Sequence, residues 1–298
     1  MGELNVPRAR IGSIGGSGTW GARFPEDFGR PEVRLLEYIE PIVTPHGVSC
    51  PLKLLEVGGE RVLRVAMHGW HRVDTGEPVP TWTCALQVAW IFQEAGVEWA
   101  LVDGSVGGIQ QPDVSGALLA PWSVVITDDF IQYWVPASPG RLGVRDRLFP
   151  RMREPFCTGL RRHLVAAASR QERFSVFDRG VYVCTPLGRF ETAAEIRMMA
   201  GWGAHIVGQT LGHEAPLMRQ LGIHFGSLNI VSNYAEGIAA WVSDDAPGAM
   251  AEFYRTCPMP VGNALIDAML DTIATGIGEC HCADYRMPGM GAFPVEGA

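Results

Sequence analysis

Residues 181–195, VYVCTPLGRFETAAE, predict a strand, a turn and a helix in direct succession. The first four residues form an apolar run typical of a buried strand, and a loop rich in Pro and Gly follows them. Thr192 is suited to cap a helix, with Glu195 completing a capping box three residues later. Open α/β sheets place their ligands at the carboxyl ends of strands, so Phe190 and Glu191 occupy a candidate site.

The same alternation of strands and helices runs through most of the chain. It predicts an α/β fold with a single domain, residues 1–298, built on a central mixed, twisted β-sheet flanked by helices. The predicted core covers about residues 10–240, and a helical segment with a tail occupies residues 244–298. The predicted strands are 10–14, 33–39, 53–57, 61–67, 99–102, 122–127, 181–184, 205–209 and 226–232, and the predicted helices are 82–95, 155–168, 191–199, 214–221, 250–254 and 264–275.

Composition limits the function classes that are compatible with this chain. The net charge of -8 and the absence of a Lys/Arg-rich run argue against nucleic acid or an anionic membrane as a partner. No apolar stretch reaches the roughly 18–20 residues that cross a bilayer, and the N-terminus shows no signal peptide. The seven cysteines are scattered and odd in number, which is typical of reduced thiols. We therefore expect a cytoplasmic protein that acts on a small molecule.

Small or polar residues follow the apolar runs at several predicted strand ends. The first run leads into Gly15-Gly16-Ser17-Gly18, whose backbone can approach a ligand closely and present N–H groups to an anion. Clustering at the strand ends of one sheet edge predicts a single site. The other residues at such positions are His68, Asp103, Phe190, Glu191, Gln209, Thr210 and Asn233.

These motifs, in this order and spacing, carry a resemblance to a known family. They are Ile14–Gly18, Pro155–Cys157, Phe190–Glu195, Gly203–Gly208 with Thr210 and Glu214, and Ser232–Ala235. Over about residues 10–240 the chain resembles the trimeric purine nucleoside phosphorylase family, including its methylthioadenosine phosphorylase branch. The resemblance implies cleavage of the bond between a purine N9 and C1′ of a ribose, a homotrimer, inorganic phosphate as co-substrate, and no other cofactor.

For the base, the resemblance assigns three residues. Glu191 would accept a hydrogen bond from the purine N1–H, and Phe190 would offer an apolar face to the ring. Asn233 would form hydrogen bonds to N7 and O6 of the purine as negative charge develops on them, so it is also a predicted catalytic residue. The adenine-preferring branch of the family has Asp at this position. The chain should therefore prefer a 6-oxopurine. Each residue also has an alternative role that involves no ligand. Asn233 could stabilise a turn at the strand end by hydrogen bonding to its own backbone, and Glu191 could interact favourably with the dipole at a helix N-terminus.

For phosphate, the resemblance assigns Ser17, His68 and Thr210, with His68 also predicted to be catalytic. The family's arginine before this histidine is missing, because Ala66 and Met67 hold its places and Arg64 lies further back.

Asp103, the third predicted catalytic residue, stands where the family has a threonine. Losing a cation and gaining an anion changes the local charge by about two units, each worth about 4 kcal/mol at roughly 4 Å and an effective dielectric near 20. This predicts weak phosphate binding.

The ribose side departs from the family as well. Gln209 replaces an apolar methionine, and Trp70 and His71 are predicted to contact the ribose or its 5′ substituent. His213 falls in the same region without an assigned role. A metal site through His68, His71, Asp103 and His213 is an alternative, but the spacing of His68 and His71 does not match a standard zinc motif, so no metal is predicted.

Several functional alternatives stay open at this level. Phosphorolysis of a purine nucleoside, with either a plain or a 5′-modified ribose, is the leading hypothesis. Its rivals are a hydrolase that uses Asp103 as general base on a water, and a noncatalytic purine-binding protein. Cys280 and Cys282 match a pair that forms a disulfide in some thermophilic relatives, but two reduced thiols are the simpler interpretation.

Overall fold

The computed structural model describes residues 6–70, 79–132, 134, 151–239 and 246–285. Strands in the described part are β1 (Ile11–Ile14), β2 (Val33–Ile39), β3 (Val43–Thr44), β4 (Gly47–Val48), β5 (Leu52–Val57), β6 (Glu60–Val65), β7 (Trp99–Gly108), β8 (Ser123–Ile126), β9 (Asp129–Gln132), β10 (Ser175–Phe177), β11 (Val181–Cys184), β12 (Ile206–Gly208) and β13 (His224–Tyr234). The helices are α1 (Met67–Trp70), α2 (Thr81–Ala95), α3 (Thr158–Ser169), α4 (Ala193–Gly201), α5 (Leu211–Leu221), α6 (Ala246–Thr256) and α7 (Pro258–Thr275).

Within the described residues, eleven strands form one mixed sheet. Its main path runs β10-β8-β13-β7-β1-β6-β5-β2, and β12, β11 and β9 branch from the end of β7. β6, β1, β7 and β13 are parallel neighbours. Their carboxyl ends therefore meet at one edge of the sheet, which confirms the predicted α/β fold with a mixed sheet.

Helices cover both faces of this sheet. One core cluster joins the sheet to apolar residues of α2 and α5, such as Phe92 and Met218. A second cluster joins it to α3 and α7, through residues such as Leu164 and Leu265. None of the described helices combines the length and apolar character of a membrane span.

The structure corrects several predicted boundaries near the sheet edge. The strand predicted over 61–67 ends at Val65, and Met67–Trp70 form a short helix. Residues 103–108, predicted as a loop, continue β7 to Gly108 because β13 pairs with them along their whole length. β9 falls in a segment predicted as irregular, and β10 in one for which no element was predicted, since strands of three or four residues carry little periodic signal.

Candidate active site

A cavity of about 430 Å³ opens at the edge where the parallel strands end. It is lined by the glycine-rich loop after β1, the start of α1, the end of β7, the turn before α4, the turn before α5 and the end of β13. The predicted site residues that line it are Ser17, His68, Phe190, Glu191, Gln209, Thr210 and Asn233. The fold thus brings together residues more than 200 positions apart in the sequence.

The turn from β11 to α4 positions the predicted base contacts. Thr192 caps α4 by accepting from the Glu195 N–H while the Glu195 carboxylate accepts from the Thr192 N–H, so the predicted capping box is confirmed. Glu191 is buried, and its Oε1 accepts a hydrogen bond from the Thr185 hydroxyl. Phe190 is 59% exposed and lines the cavity. A fixed carboxylate beside an aromatic face is suited to hold a flat heterocycle.

A β-bulge presents Asn233 to the cavity. The register between β13 and β7 shifts between Val231 and Asn233, so Ser232 is the extra residue. Both Ser232 and Asn233 line the cavity as a result. The Asn233 Oδ1 accepts from the Ser232 hydroxyl at 2.7 Å, and its Nδ2 donates to the Tyr234 carbonyl at 2.9 Å. These two bonds to neighbouring residues fix the orientation of the amide, which agrees with the alternative that Asn233 has a local turn role. The residue nevertheless also lines the cavity.

Three hydroxyl groups form a chain along one part of the cavity lining, which we call a wall. Ser17 accepts a hydrogen bond from the Ser105 N–H at 2.9 Å, and the two hydroxyl oxygens lie 2.6 Å apart. The Ser105 hydroxyl is also 2.9 Å from the Tyr254 hydroxyl. Ser105 and Tyr254 were not predicted as site residues. This wall offers neutral donors from three separate segments of the chain.

His68 supplies the cationic group of this wall. Its Nε2 lies 2.5 Å from Oε1 of Glu214 on α5, and both side chains are buried. Burial opposes the charged form of His68, but the charge of Glu214, its hydrogen bond and the more distant Asp103 outweigh this effect and raise the pKa of His68 above its usual value. Among the described lining residues no Lys or Arg occurs. The imidazolium is therefore the positive charge that an anion in this cavity would meet.

The N-terminus of α5 also faces the cavity. Thr210 is its N-cap residue, and the Thr210 hydroxyl makes no capping hydrogen bond. The helix dipole and the first N–H groups of an α-helix favour an anion at such a position. Gln209 lines the cavity next to it and donates from Nε2 to the Arg189 carbonyl at 2.9 Å.

Asp103 does not line the cavity. It lies behind the glycine-rich loop, fully buried, and accepts hydrogen bonds from the Thr19 hydroxyl at 3.1 and 3.2 Å. Arg64, also buried, lies 3.8 Å from Asp103 and donates to Ser13 and Thr19. Burial lowers the pKa of Arg64 and raises that of Asp103.

The prediction that a lost arginine and an added carboxylate leave two units of uncompensated charge at the phosphate site is therefore wrong. It treated Arg64 as too distant and Asp103 as facing the cavity. In the fold the two charges oppose each other beneath the loop. The small polar residue of β7 that reaches the cavity is Ser105, two positions after Asp103.

The remaining predicted residues fall outside the cavity lining or outside the described chain. His213 packs against Trp82 and Trp134, and its Nδ1 lies 3.2 Å from the Gln132 amide nitrogen. Burial lowers its pKa, so it stays neutral near pH 7. Trp70 ends α1, but its side chain lies outside the described part of the structure, as does the whole of His71.

Sequence reasoning missed Ser105 on β7 and also two residues on α6. Met250 and Tyr254, one turn apart on α6, both line the cavity, and Glu214 acts on it through His68. The spacing of Met250 and Tyr254 marks one helix face, but nothing local indicates which surface that face covers. The sequence analysis included Glu214 in a family motif but did not predict its contact with His68.

Comparison with known proteins identifies the family. A family model described as the phosphorylase superfamily matches residues 10–256. The chain therefore belongs to this superfamily, and within it to the purine nucleoside and methylthioadenosine phosphorylases, as its motifs predicted.

Individual relatives agree with that assignment. A probable 6-oxopurine nucleoside phosphorylase from Thermococcus kodakarensis is 33% identical over 240 residues, covering 77% of this chain and 81% of the relative. An S-methyl-5'-thioadenosine phosphorylase from the same organism is 31% identical over 287 residues, covering 92% and 96%. A methylthioadenosine phosphorylase from an antarctic soil metagenomic library shares the fold, with a TM-score of 0.72 at 20% identity over 94% of this chain and 91% of the other.

Proposed function

We propose that this chain cleaves the N-glycosidic bond of a 6-oxopurine nucleoside by phosphorolysis, releasing the free base and ribose 1-phosphate. One observation carries the proposal: a single cavity is lined by a carboxylate and an amide, called the base wall below, and by His68 with hydroxyl donors, called the anion wall. The first wall has the donors and acceptors for an oxopurine edge. The second wall suits a phosphate dianion.

The base wall stabilises the leaving group. As the N9–C1′ bond breaks, its electron pair moves into the purine ring, and negative charge grows on N7 and O6. Asn233 donates to these atoms from its amide, while Glu191 accepts from the N1–H and holds the ring in register. An amide cannot give up a proton, so the base leaves with its charge held by hydrogen bonds, which favours an oxopurine over adenine.

The anion wall positions the nucleophile. A phosphate oxygen attacks C1′ on the face opposite the base and forms the new C1′–O bond. Ser17 and Thr210 donate hydroxyl hydrogen bonds, and His68 supplies a charge-assisted one. The N-terminus of α5 adds favourable dipole interaction on the same side. Fixing both reactants in one cavity lowers the entropic part of the barrier.

The hydrolase alternative lacks a corresponding support. It requires Asp103 to take a proton from a water in the cavity, and this carboxylate is fully buried behind the glycine-rich loop with Thr19 and Arg64 as its partners. The groups on the anion wall are hydroxyl donors and the His68 imidazolium. They stabilise a bound anion, whereas hydrolysis would need a general base there.

Inosine turnover with and without phosphate tests the proposal. We expect strict dependence on phosphate, with ribose 1-phosphate and hypoxanthine formed in equal amounts. Free ribose formed at an unchanged rate without phosphate would contradict phosphorolysis, and binding of hypoxanthine without any turnover would identify a noncatalytic protein. Methylthioinosine, assayed beside inosine, measures the preference for the 5′ substituent.

A matched variant links the activity to the base wall. Glu191→Gln keeps the shape of the side chain and removes its charge, so kcat/KM for inosine should fall on the order of 10²-fold. Glu172→Gln, a charge change outside the cavity lining, serves as the control and should leave kcat/KM unchanged.

We also propose, on the family resemblance, that the protein acts as a homotrimer in the cytoplasm and needs no cofactor beyond inorganic phosphate. Light scattering on the purified protein tests the assembly, and a mass of one or two chains would contradict it. Dialysed enzyme should recover full inosine turnover with phosphate alone.

A further inference from the structure

Four potential metal ligands meet at the sheet edge opposite the cavity. Cys157 immediately precedes α3, His224 begins β13, and Cys280 and Cys282 belong to the segment that follows α7. One ligand atom from each residue lies within 4.8 Å of all the others. Asn233 stands nine positions along β13 from His224, so at about 3.3 Å per residue the cluster is on the order of 30 Å from the cavity.

Two distances within the cluster match the edges of a tetrahedral metal site. The His224 Nδ1 lies 3.5 Å from the Cys157 Sγ and 3.4 Å from the Cys280 Sγ. With a zinc–sulfur bond of about 2.3 Å and a zinc–nitrogen bond of about 2.0–2.1 Å, tetrahedral angles place sulfur and nitrogen roughly 3.6 Å apart. Both distances therefore fit ligands of one zinc ion, and the remaining ligand atom lies within 4.8 Å of these three.

The protein scaffold holds the cysteine segment in this place through its backbone. Arg219, which is buried on α5, donates to the Cys282 carbonyl at 3.1 Å and to the Glu154 carbonyl at 2.5 Å. Arg162 on α3 donates to the Glu279 carbonyl at 2.9 Å. These bonds fix both ends of the segment that carries the two thiols, so the approach of four ligands does not depend on one flexible side chain.

We propose that Cys157, His224, Cys280 and Cys282 bind one zinc ion, which fastens the carboxyl-terminal segment to the start of β13 and α3. Three thiolates and one imidazole in a tetrahedron are typical of zinc, since soft sulfur ligands disfavour magnesium and calcium. All four positions are taken by protein, so no coordination site is open for a water or a substrate. The ion has a structural role, and its presence is independent of the phosphorolysis proposed above.

Metal analysis of protein purified under reducing conditions without chelator tests the site directly. We expect about one zinc per chain for the intact protein. The double variant C280S/C282S should lose it, whereas C84A, which removes a buried thiol in α2, should retain it. Absence of zinc from the intact protein, or zinc retained by the double variant, would overturn the proposal.

Two further measurements separate a metal site from paired thiols. Cobalt added to the protein freed of zinc should give the absorption bands of a tetrahedral thiolate complex in C84A and none in C280S/C282S. A strong chelator should lower the Tm of the intact protein and of C84A, but leave that of the double variant unchanged. An intact mass lacking two thiol hydrogens, with no metal bound, would instead identify a disulfide and overturn the site.

Discussion

At position 233, the choice between the amide of asparagine and the carboxyl group of aspartate changes a single side-chain atom but affects how the purine base is released. Its amide is oriented by Ser232 and the Tyr234 carbonyl, and it faces the cavity because of the bulge in β13. An aspartate at this position has the same shape but can transfer a proton to N7. The choice between amide and acid therefore decides which purine leaves easily.

Asn233→Asp should reverse the base preference. We expect kcat/KM for inosine to fall on the order of 10²–10³-fold, because a carboxylate repels the charge that develops on O6. The ratio of adenosine to inosine turnover should rise, and steady-state assays with both nucleosides measure it. Asn263→Asp on α7, outside the cavity lining, is the matched control and should leave the ratio unaltered. An unchanged ratio in Asn233→Asp would remove this residue from base recognition.

The contact between His68 and Glu214 makes phosphate binding dependent on pH. Glu214 is completely buried, its Oε1 contacts His68, and its Oε2 has no hydrogen-bond partner among the described residues. The pKa of His68 is raised, so the imidazolium persists to a higher pH than an ordinary histidine allows. The stabilising effect of this pair is complete below the ordinary histidine pKa and is lost as pH rises through the raised value.

Glu214→Gln should move the pH profile. In the unmodified enzyme, KM for phosphate should rise as the pH passes the raised pKa of His68. In the variant this rise should begin at lower pH, and KM for phosphate near pH 7.5 should increase about tenfold, the value of one charge-assisted hydrogen bond. Glu252→Gln, on the exposed side of α6, should keep the original profile. Identical profiles for the Glu214 variant and the unmodified enzyme would contradict the role of this pair.

At the scale of elements, the glycine-rich loop depends on close packing beneath it. A Cβ on Gly16 would lie 1.8 Å from the Asp103 carbonyl oxygen and 2.5 Å from the His68 Nδ1. Only glycine allows the loop to pass this close to β7, because any side chain would push Ser17 away from Ser105 and His68. The sequence indicated the close approach, but not the atoms approached.

Gly16→Ala should therefore displace the anion wall. We expect kcat/KM for phosphate to fall on the order of 10²-fold, the size typical of a misplacement of about 1 Å. Gly201→Ala provides the matched control: Gly201 lies in α4 with no atom within 4 Å of the added Cβ, so it should keep full activity and gain up to about 1 kcal/mol of stability. Equal activity in the two variants would show that the loop tolerates the added atom.

At the scale of the whole molecule, the pair of Arg64 and Asp103 ties the central strands together. Arg64 extends from β6 beneath the glycine-rich loop to Ser13 on β1 and towards Asp103 on β7, and its guanidinium lies 4.0 Å from the centre of the Phe24 ring. Because both charges are buried, each needs the other, and removing one leaves an uncompensated charge inside the protein. The pair therefore affects global stability.

Arg64→Met should lower the free energy of unfolding by about 3–5 kcal/mol, whereas the double change R64M/D103L should cost clearly less. The exposed pair of Arg34 and Glu56 is the control, and Arg34→Met should cost less than about 1 kcal/mol. Denaturant unfolding measures all three. Independent, additive costs for Arg64 and Asp103 would contradict their pairing.

The sequence by itself determined the alternation of strands and helices, the capped turn before α4 and seven of the residues that line the cavity. These features rest on local signals: apolar periodicity, a capping box and polar residues at strand ends. The prediction for Glu191, Asn233, Ser17, His68 and Thr210 as one cluster agrees with the cavity because parallel strands end at a common edge. Their roles in binding stay predictions until the assays above are made.

Only the tertiary structure decided where long polar side chains point and which distant residues they meet. Arg64 was set aside because of its position in the sequence, yet its side chain reaches Asp103, 39 residues later. Cys157 and His224 are far from Cys280 and Cys282 in the chain, so their meeting at one edge is a property of the folded sheet. The physical reason is the same in each case: local sequence determines backbone conformation over a few residues, whereas the partner of a buried charge or thiol is selected by packing.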